Sequence, residues 1–260
     1  MASLADSVWT LKFYGSSTAT SAGAGIVLYK DDGESVTKSF KFDFPCSNNA
    51  AKYEAYLTGS AIAYEMRIKH LRVIGDSNLV VCQARGEFSL KEPSLAPYRT
   101  LTQKLEAKFS TFEIEHAQRN KNRYADTLAT LRSQIAFKGE EMDVTICKKM
   151  KPITELLKKE FEELSPNQED WRVPIKAKLM SPAVVADLRE IKDYTLISGD
   201  LYRRLPGGVL ARCTNIEEAK EKLIEVHEKT GGDGGAISLY RRLQRLGYFW
   251  PNMSVEAADV

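Results

Sequence analysis

Two short segments of the chain each place a polar residue where an apolar run ends. In IGDSNLV (74–80) an acid, Asp76, stands beside glycine and serine, and in LKFYGSS (11–17) the comparable place is taken by Tyr14. Carboxylate oxygen is the ligand that hard cations such as Mg²⁺ prefer. The two segments therefore predict a cation site at one edge of a sheet, with Tyr14 standing where a matching acid would be expected.

The hydrophobic pattern of the first half predicts the elements that position these residues. Three β-rich runs separated by turns predict antiparallel strands, and a long helical pattern follows from about Asn48 to Met66. HLRVIGD is typical of a buried central strand. The remaining segments predict helix, helix, strand and helix, in the order SNLVVCQARG, SLAPYRTLTQKLEAKF, TFEIEHA and NRYADTLATLRSQIAF. The order βββαβααβα predicts an α/β domain that ends near Phe137.

The second half has a different character. Residues 138–182 are dense in charge and predict a linker with one exposed helix. Residues 183–260 predict strands joined by Gly-Asp and Pro-Gly-Gly turns, followed by two helices. The first of these helices would open with a capping box at Thr214 and Glu217 and close at Gly231. The second would end at Gly247 and Pro251.

Composition narrows the class of protein. The 260 residues are 43% hydrophobic and 28% charged, and the net charge is +2. The overall charge therefore does not by itself indicate a nucleic-acid partner. The N-terminus lacks a secretory pattern, and no apolar run approaches the roughly 20 residues of a membrane span. Four cysteines occur singly, which favours reduced thiols. We expect a cytoplasmic or nuclear protein that is not secreted and does not bind membranes.

The motifs of the first half resemble the ribonuclease H domain of plant retrotransposon polyproteins. The matching stretches run in family order and are GSS, AGAGIVLY, NNAAKYEAYLTG, VIGDSNLVVCQ and HAQRNKNRYADTLATL. The second half resembles the start of the integrase region through DWRVPI, YTLISGDLYRR, EEAKEKLIEVHE and LQRLGYFWPNM. The resemblance implies an RNase H-like mixed five-stranded sheet flanked by helices over 1–137, the linker 138–182, and a small α+β remnant domain over 183–260.

The resemblance also implies a catalytic set of four carboxylates that hold two Mg²⁺ ions about 4 Å apart. Asp76 in GDS and Asp126 in YAD match two of them, whereas Tyr14 and Lys52 stand at the other two positions. A neutral phenol is a poor magnesium ligand, and an ammonium repels the metal. Glu54 lies roughly 200° around the helix from Lys52 and cannot replace the missing acid. We therefore predict an impaired two-metal site, at which Mg²⁺ or Mn²⁺ would bind weakly if at all.

Further site residues follow from the same resemblance. His116 matches a mobile histidine that assists product release, and Asn48, Asn49 and Gln83 match residues that contact the minor groove and RNA 2′-hydroxyls. The 2′-hydroxyl both donates and accepts, which suits amide side chains. Asn48 could instead, or in addition, cap the helix.

Plainer interpretations remain open at each catalytic position. An isolated aspartate such as Asp76 or Asp126 is more often a helix cap than a ligand, and a lone His116 is more often a surface residue. Tyr14 and Lys52 could be neutral drift. Alternatively, Lys52 could pair with the two aspartates, which would otherwise repel each other.

The C-terminal half offers little for a metal. His227 matches the first ligand of the integrase zinc module, but no second histidine or cysteine pair follows it. Structural zinc takes about four ligands, so we predict no zinc. The basic run Arg241, Arg242 and Arg245 could face phosphates, or it could be a solvated helix face.

These features favour a host protein derived from a retrotransposon that recognises RNA–DNA hybrid or double-stranded RNA, with a role in defence against viruses or mobile elements. An active metal-dependent ribonuclease using Asp76 and Asp126 with other ligands is the alternative. A module that holds a protein partner, or competes with active retroelement enzymes, is a further hypothesis.

Overall fold

The computed structural model describes residues 7–31, 33–117, 145–158, 160–161, 170–181, 185–229 and 235–260. The chain divides into two compact units, Met1–Ala84 with Tyr98–Glu162 and Arg85–Pro97 with Glu163–Val260. None of the helices within the described ranges has the length and apolarity needed to cross a membrane.

The first unit is built on a six-stranded mixed sheet in the order β5-β4-β1-β2-β3-β6. The strands β1, β2 and β3 are antiparallel neighbours, whereas the pairs β1/β4, β4/β5 and β3/β6 are parallel. Their bounds are β1 Val8–Ser17, β2 Ala22–Tyr29, β3 Ser35–Phe42, β4 His70–Gly75, β5 Thr111–His116 and β6 Thr145–Lys149. The predicted α/β fold with a mixed sheet is confirmed.

The helices of this unit follow the predicted order. They are α1 Asn48–Glu65, α2 Asn78–Ala84, α3 Ala96–Glu106, of which Tyr98–Glu106 belong to this unit, and the short α4 Ile153–Leu156. Gly86 ends the α2 region with a φ of 72°, a value that favours glycine. The helix predicted over NRYADTLATLRSQIAF lies outside the described residues.

Strand β6 was not predicted, and it makes the sheet six-stranded rather than five-stranded. It lies within residues 138–182, which the sequence assigned to a linker, and it pairs with β3 in the first unit. The sequence TICKK conceals the strand because its charged end, Lys149, is 7% exposed. A buried lysine is rare unless it is paired, so hydropathy alone argues against this assignment.

The charge of Lys149 is balanced by Glu54, a fully buried residue of α1. The Nζ of Lys149 donates to Glu54 Oε2 at 2.8 Å and to Thr58 Oγ1 at 2.6 Å. Glu54 also accepts from the Tyr98 hydroxyl at 2.9 Å and from the backbone N–H of Ile153 at 2.9 Å. This network fastens β6, α3 and α4 to α1. Burial lowers the pKa of Lys149, and Glu54 opposes that shift.

The second unit contains a four-stranded sheet in the order β10-β9-β8-β7. The strands are β7 Tyr194–Ile197, β8 Asp200–Leu205, β9 Val209–Cys213 and β10 Tyr248–Phe249. The predicted Gly-Asp turn lies one residue earlier, at Ser198 and Gly199, whose φ values of 54° and 93° suit a two-residue hairpin of type I′, whereas Asp200 already belongs to β8. β10 is a short addition, parallel to β9, that the sequence did not indicate.

Five helices accompany this sheet: α5 Arg172–Met180, α6 Val185–Ile191, α7 Ile216–Lys229, α8 Gly235–Arg245 and α9 Met253–Glu256. The predicted capping box at Thr214 is wrong, because Asn215 Oδ1 accepts from the Glu218 N–H at 2.7 Å. Thr214 is buried, and its carbonyl accepts from the indole of Trp171 at 3.0 Å. The predicted end of α8 at Gly247 is confirmed by a φ of 83°.

We expect Lys149→Met to lower the free energy of unfolding of the first unit by about 3–5 kcal/mol, because it leaves the Glu54 carboxylate buried without its counter-charge. Lys148→Met is the matched control. Lys148 pairs with Asp43 at the surface, where its side chain is 60% exposed, and its loss should cost about 1 kcal/mol or less. Equilibrium chemical denaturation measures both variants, and equal costs would contradict the assigned role of the network.

Candidate active site

Three parallel strands bring the predicted catalytic positions to one edge of the first sheet. Phe13 of β1 is in register with Gly75 of β4, so the next residues, Tyr14 and Asp76, occupy neighbouring positions. Gly75 is also in register with His116, the last residue of β5. The ladder of β5, β4 and β1 therefore places Tyr14, Asp76 and His116 at adjacent positions.

The side chains at this edge alternate between the two faces of the sheet. Phe13 contacts Tyr56 of α1 with ring centroids 5.4 Å apart, and a Cβ at Gly75 would lie 2.3 Å from the Phe13 ring. Because successive strand residues point to opposite faces, Tyr14 projects away from α1. Tyr14 is 9% exposed, Asp76 is half-buried, and His116 is exposed.

Lys52, at the fourth predicted catalytic position, lies near this edge because the backbone of α1 approaches β1 closely. A Cβ at Gly15 would lie 2.1 Å from the carbonyl O of Ala51 and 2.7 Å from the backbone N of Lys52. Only glycine fits here, and its absence of a side chain sets the first turn of α1 directly against β1. Lys52 is consequently half-buried beside the residue that follows Tyr14. Asp126 lies outside the described residues.

The described residues supply few of the oxygen donors that a pair of divalent cations would need. Of the predicted catalytic positions in the described part of the chain, only Asp76 offers a carboxylate, and Lys52 offers a positive charge. The described residues contain no group of three or more histidine, cysteine, aspartate or glutamate side chains that could hold a metal. Glu54 is unsuitable as a substitute because its oxygens already bind Lys149 and the backbone of Ile153.

The amides predicted to contact a duplex lie at the start of α1. Asn48 is exposed, and its Oδ1 accepts from the Ser17 N–H at 3.3 Å, whereas Asn49 is half-buried. The alternative that Asn48 caps the helix is wrong, because Ser47 Oγ accepts from the Ala50 N–H at 3.1 Å. Asn48 instead joins the end of β1 to the first turn of α1, on the side of the helix start that remains open to solvent.

Gln83 has a definite structural contact that the sequence did not indicate. It is 4% exposed, and its Oε1 accepts from the Tyr53 hydroxyl at 2.5 Å. Burial raises the pKa of Tyr53, which keeps its hydroxyl protonated as a donor. Gln83 thus connects α2 to α1, and its contact with a duplex stays a prediction.

His227 is half-buried in the last turn of α7, in the second unit. The described residues around it form no cluster of metal-binding side chains. The expected absence of zinc stays a prediction.

Known proteins resemble the part of the chain that carries this edge. Residues 12–132 match a family model described as reverse transcriptase-like. The ribonuclease HI of Halobacterium salinarum is 31% identical over 108 residues, which are 42% of this chain and 54% of that protein. The bifunctional protein Rv2228c of Mycobacterium tuberculosis is 32% identical over 109 residues, which are 42% of this chain and 30% of that protein.

Residues 12–132 are thus similar to a reverse transcriptase-like domain and to a ribonuclease HI over a little less than half of the chain. The chain spans about half or less of the length of these curated relatives. Among solved structures, the RNase H1 of Halobacterium salinarum aligns with a TM-score of 0.45 and 28% identity, over 48% of this chain and 96% of that one. An LC11-RNase H1 in complex with RNA/DNA hybrid aligns with a TM-score of 0.44 and 24% identity, over 47% and 94% respectively.

We expect Gly15→Ala to disrupt this edge, because the added Cβ meets rigid backbone of α1. Overpacking of this kind costs about 1–3 kcal/mol or more. Chemical denaturation should show that loss for Gly15→Ala and less than about 0.5 kcal/mol for Ser16→Ala, the next residue of β1. Equal stability of Gly15→Ala and the parent would show that α1 does not rest on β1 at this glycine.

Proposed function

We propose that this protein recognises RNA-containing duplexes, either RNA–DNA hybrid or double-stranded RNA, with an impaired two-metal cleavage site. The observation that carries the proposal is that Tyr14 and Lys52, rather than acids, stand at the edge near Asp76 and His116. The described part of the surrounding domain contains the mixed sheet and the helices α1 to α4. Binding can therefore persist where the chemistry has been lost.

The charges at this edge support binding of a duplex without metal-dependent cleavage. The two-metal mechanism needs several carboxylates to balance the charge of two divalent ions. A lysine ammonium at position 52 repels those ions but attracts a phosphate backbone, with a strength that depends on salt. The tyrosine at position 14 supplies no carboxylate oxygen for a metal. The edge is thus better suited to holding a phosphate than to holding Mg²⁺ or Mn²⁺.

Discrimination between RNA and DNA is assigned to the start of α1. Asn48 and Asn49 present amides beside this edge, and an amide can both donate to and accept from a 2′-hydroxyl. The Gln83 amide is engaged by Tyr53 through its oxygen. Its nitrogen is the part of that side chain that could reach a substrate.

A second candidate function is an active metal-dependent ribonuclease. It is favoured by Asp76 at the carboxyl end of β4 and by the relative named ribonuclease HI. In that case Asp76 and Asp126 would act with ligands other than Tyr14 and Lys52. Derivation from a plant retrotransposon and a role in host defence belong to the same proposal and rest on the sequence motifs alone.

If the amides of α1 recognise RNA, the protein should bind hybrid or double-stranded RNA more tightly than DNA duplex. Asn49→Ala should reduce affinity for the RNA-containing duplex by about tenfold, in the range of one lost hydrogen bond, and leave affinity for DNA unchanged. Fluorescence anisotropy with duplexes of one sequence measures both. Equal affinity of the parent for all duplexes would contradict RNA recognition.

A second test restores the acids. Tyr14→Asp combined with Lys52→Glu should create Mg²⁺-dependent cleavage of the RNA strand of a hybrid, and either single change should give far less. Ligands that assemble one metal pair act as a unit, so their effects are not additive. Mg²⁺ should also stabilise the double variant, because it binds the folded state and relieves repulsion between like charges.

The control for this test is the triple variant that adds Asp76→Asn, which should bind hybrid without cutting it. If the parent protein already cleaves hybrid and Asp76→Asn abolishes that cleavage, the ribonuclease alternative replaces our proposal. A double variant that folds and binds hybrid but remains inert would place further lost catalytic residues outside these two positions.

A further inference from the structure

Helix α8 of the second unit carries a stripe of donors that faces away from its core. Ser238, Arg241, Arg242 and Arg245 are all exposed. Their spacing of three, four and seven residues places them within about 100° of the helix surface. Leu239 and Leu243 lie on the other side and are buried among residues of α7, α9 and β10. The amphipathic pattern therefore fixes the orientation of the arginines toward solvent.

The stripe differs from the other charged surface of this unit. Helix α7 mixes both signs, and two of its three lysines, Lys222 and Lys229, are paired to Glu225. Helix α8 contains three arginines and no acid between Gly235 and Arg245. Within the described residues, none of these arginines forms an ion pair. The positive charge of α8 is consequently left uncompensated on one face.

Stabilisation of the helix itself accounts for only part of this arrangement. Arg242 and Arg245 lie in the last turn, where a positive charge interacts favourably with the negative end of the helix dipole. Each such charge stabilises the helix by about 0.3–1 kcal/mol. That effect requires neither Arg241 nor the placement of all three arginines on one face. A guanidinium fork matches a phosphate in two parallel hydrogen bonds, and a serine hydroxyl can add a third donor.

We propose that the α8 stripe, Ser238 with Arg241, Arg242 and Arg245, binds the phosphate backbone of a nucleic-acid duplex, the class of ligand that we propose for the first unit. The inference rests on the proposed function and adds a second, sequence-independent contact to it. From Ser238 to Arg245 the helix rises about 10 Å, which matches the rise of about three nucleotides along one strand. The stripe therefore supplies affinity, whereas the amides of α1 supply the choice of RNA.

The test uses the full chain with Arg241→Gln, Arg242→Gln and Arg245→Gln combined. Affinity for hybrid and for DNA duplex is measured over a range of salt concentrations. Each lost phosphate contact lowers the slope of log affinity against log salt by about 0.9, so the slope should fall by nearly 3 for both duplexes. Affinity at about 0.1 M salt should fall about tenfold or more without a change in the preference for RNA.

Two further variants separate phosphate contact from general charge and from folding. Lys91→Gln, Lys220→Gln and Lys229→Gln combined remove the same charge from three exposed lysines elsewhere in this unit and should leave most of the slope. The three arginines changed to lysine should retain it, because each keeps its charge. Chemical denaturation of all variants reports whether α8 remains folded.

The outcomes distinguish this inference from the proposed function. An unchanged slope in the arginine variant, with the RNA preference of the parent intact, would overturn the role of α8 and leave the proposed function standing. Equal affinity of the parent for all duplexes, with a slope that falls only in the arginine variant, would support α8 and overturn RNA recognition. A parent that binds no duplex would overturn the inference. Equal salt slopes in the arginine-to-glutamine variant and in the variant with Lys91, Lys220 and Lys229 changed to glutamine would also overturn it.

Discussion

The close approach of α1 to β1 is the constraint on which the first unit depends. Two glycines permit it at opposite ends of the contact: Gly15 lies against the backbone of Ala51, and a Cβ at Gly59 would lie 2.6 Å from the Leu11 side chain. With α1 held at this distance, Lys52 stands beside the carboxyl edge of the sheet, and the aromatic ring of Tyr56 packs on Phe13. The geometry of the candidate site therefore depends on the two glycines, which have no side chain, as well as on the residues that form the site.

A buried ion pair extends this arrangement to the far edge of the sheet. Glu54 and Lys149 are separated by 95 positions in the chain, yet their contact secures β6 next to β3 and the start of α4 next to α1. Burying two charges costs several kcal/mol per ion, and complete hydrogen bonding is what makes such a pair tolerable. Glu54 meets that condition with donors from Lys149, Tyr98 and the Ile153 backbone. The pair therefore specifies which segment completes the sheet.

The sequence predicted most of the strands and helices, because apolar runs bounded by turn residues mark the elements of the first unit. Prediction from the sequence was wrong where two adjacent residues could both cap a helix. It also missed an element whose stabilising partner lies far away in the chain. Ser47 and Asn215 cap their helices, although the adjacent Asn48 and Thr214 have comparable capping chemistry. Strand β6 was concealed because the neutralisation of Lys149 requires a residue from another helix. The edge that unites Tyr14, Asp76 and His116 followed from the motifs, whereas the contact of Gln83 with Tyr53 required the structure.

The division of labour within α1 explains how an acid at position 52 can be replaced without loss of the fold. Tyr53 and Glu54 point into the unit, where they bind Gln83 and Lys149, whereas Lys52 is half-buried at the edge and takes no part in that network. A substitution at position 52 therefore changes the charge presented to a substrate and leaves the packing of the helix intact. A change at position 54 would leave the charge of Lys149 buried without a partner and would remove a contact that holds β6. The position at the edge and the position that binds Lys149 lie two residues apart on one helix, so the charge at position 52 can change while the contacts of Glu54 are retained.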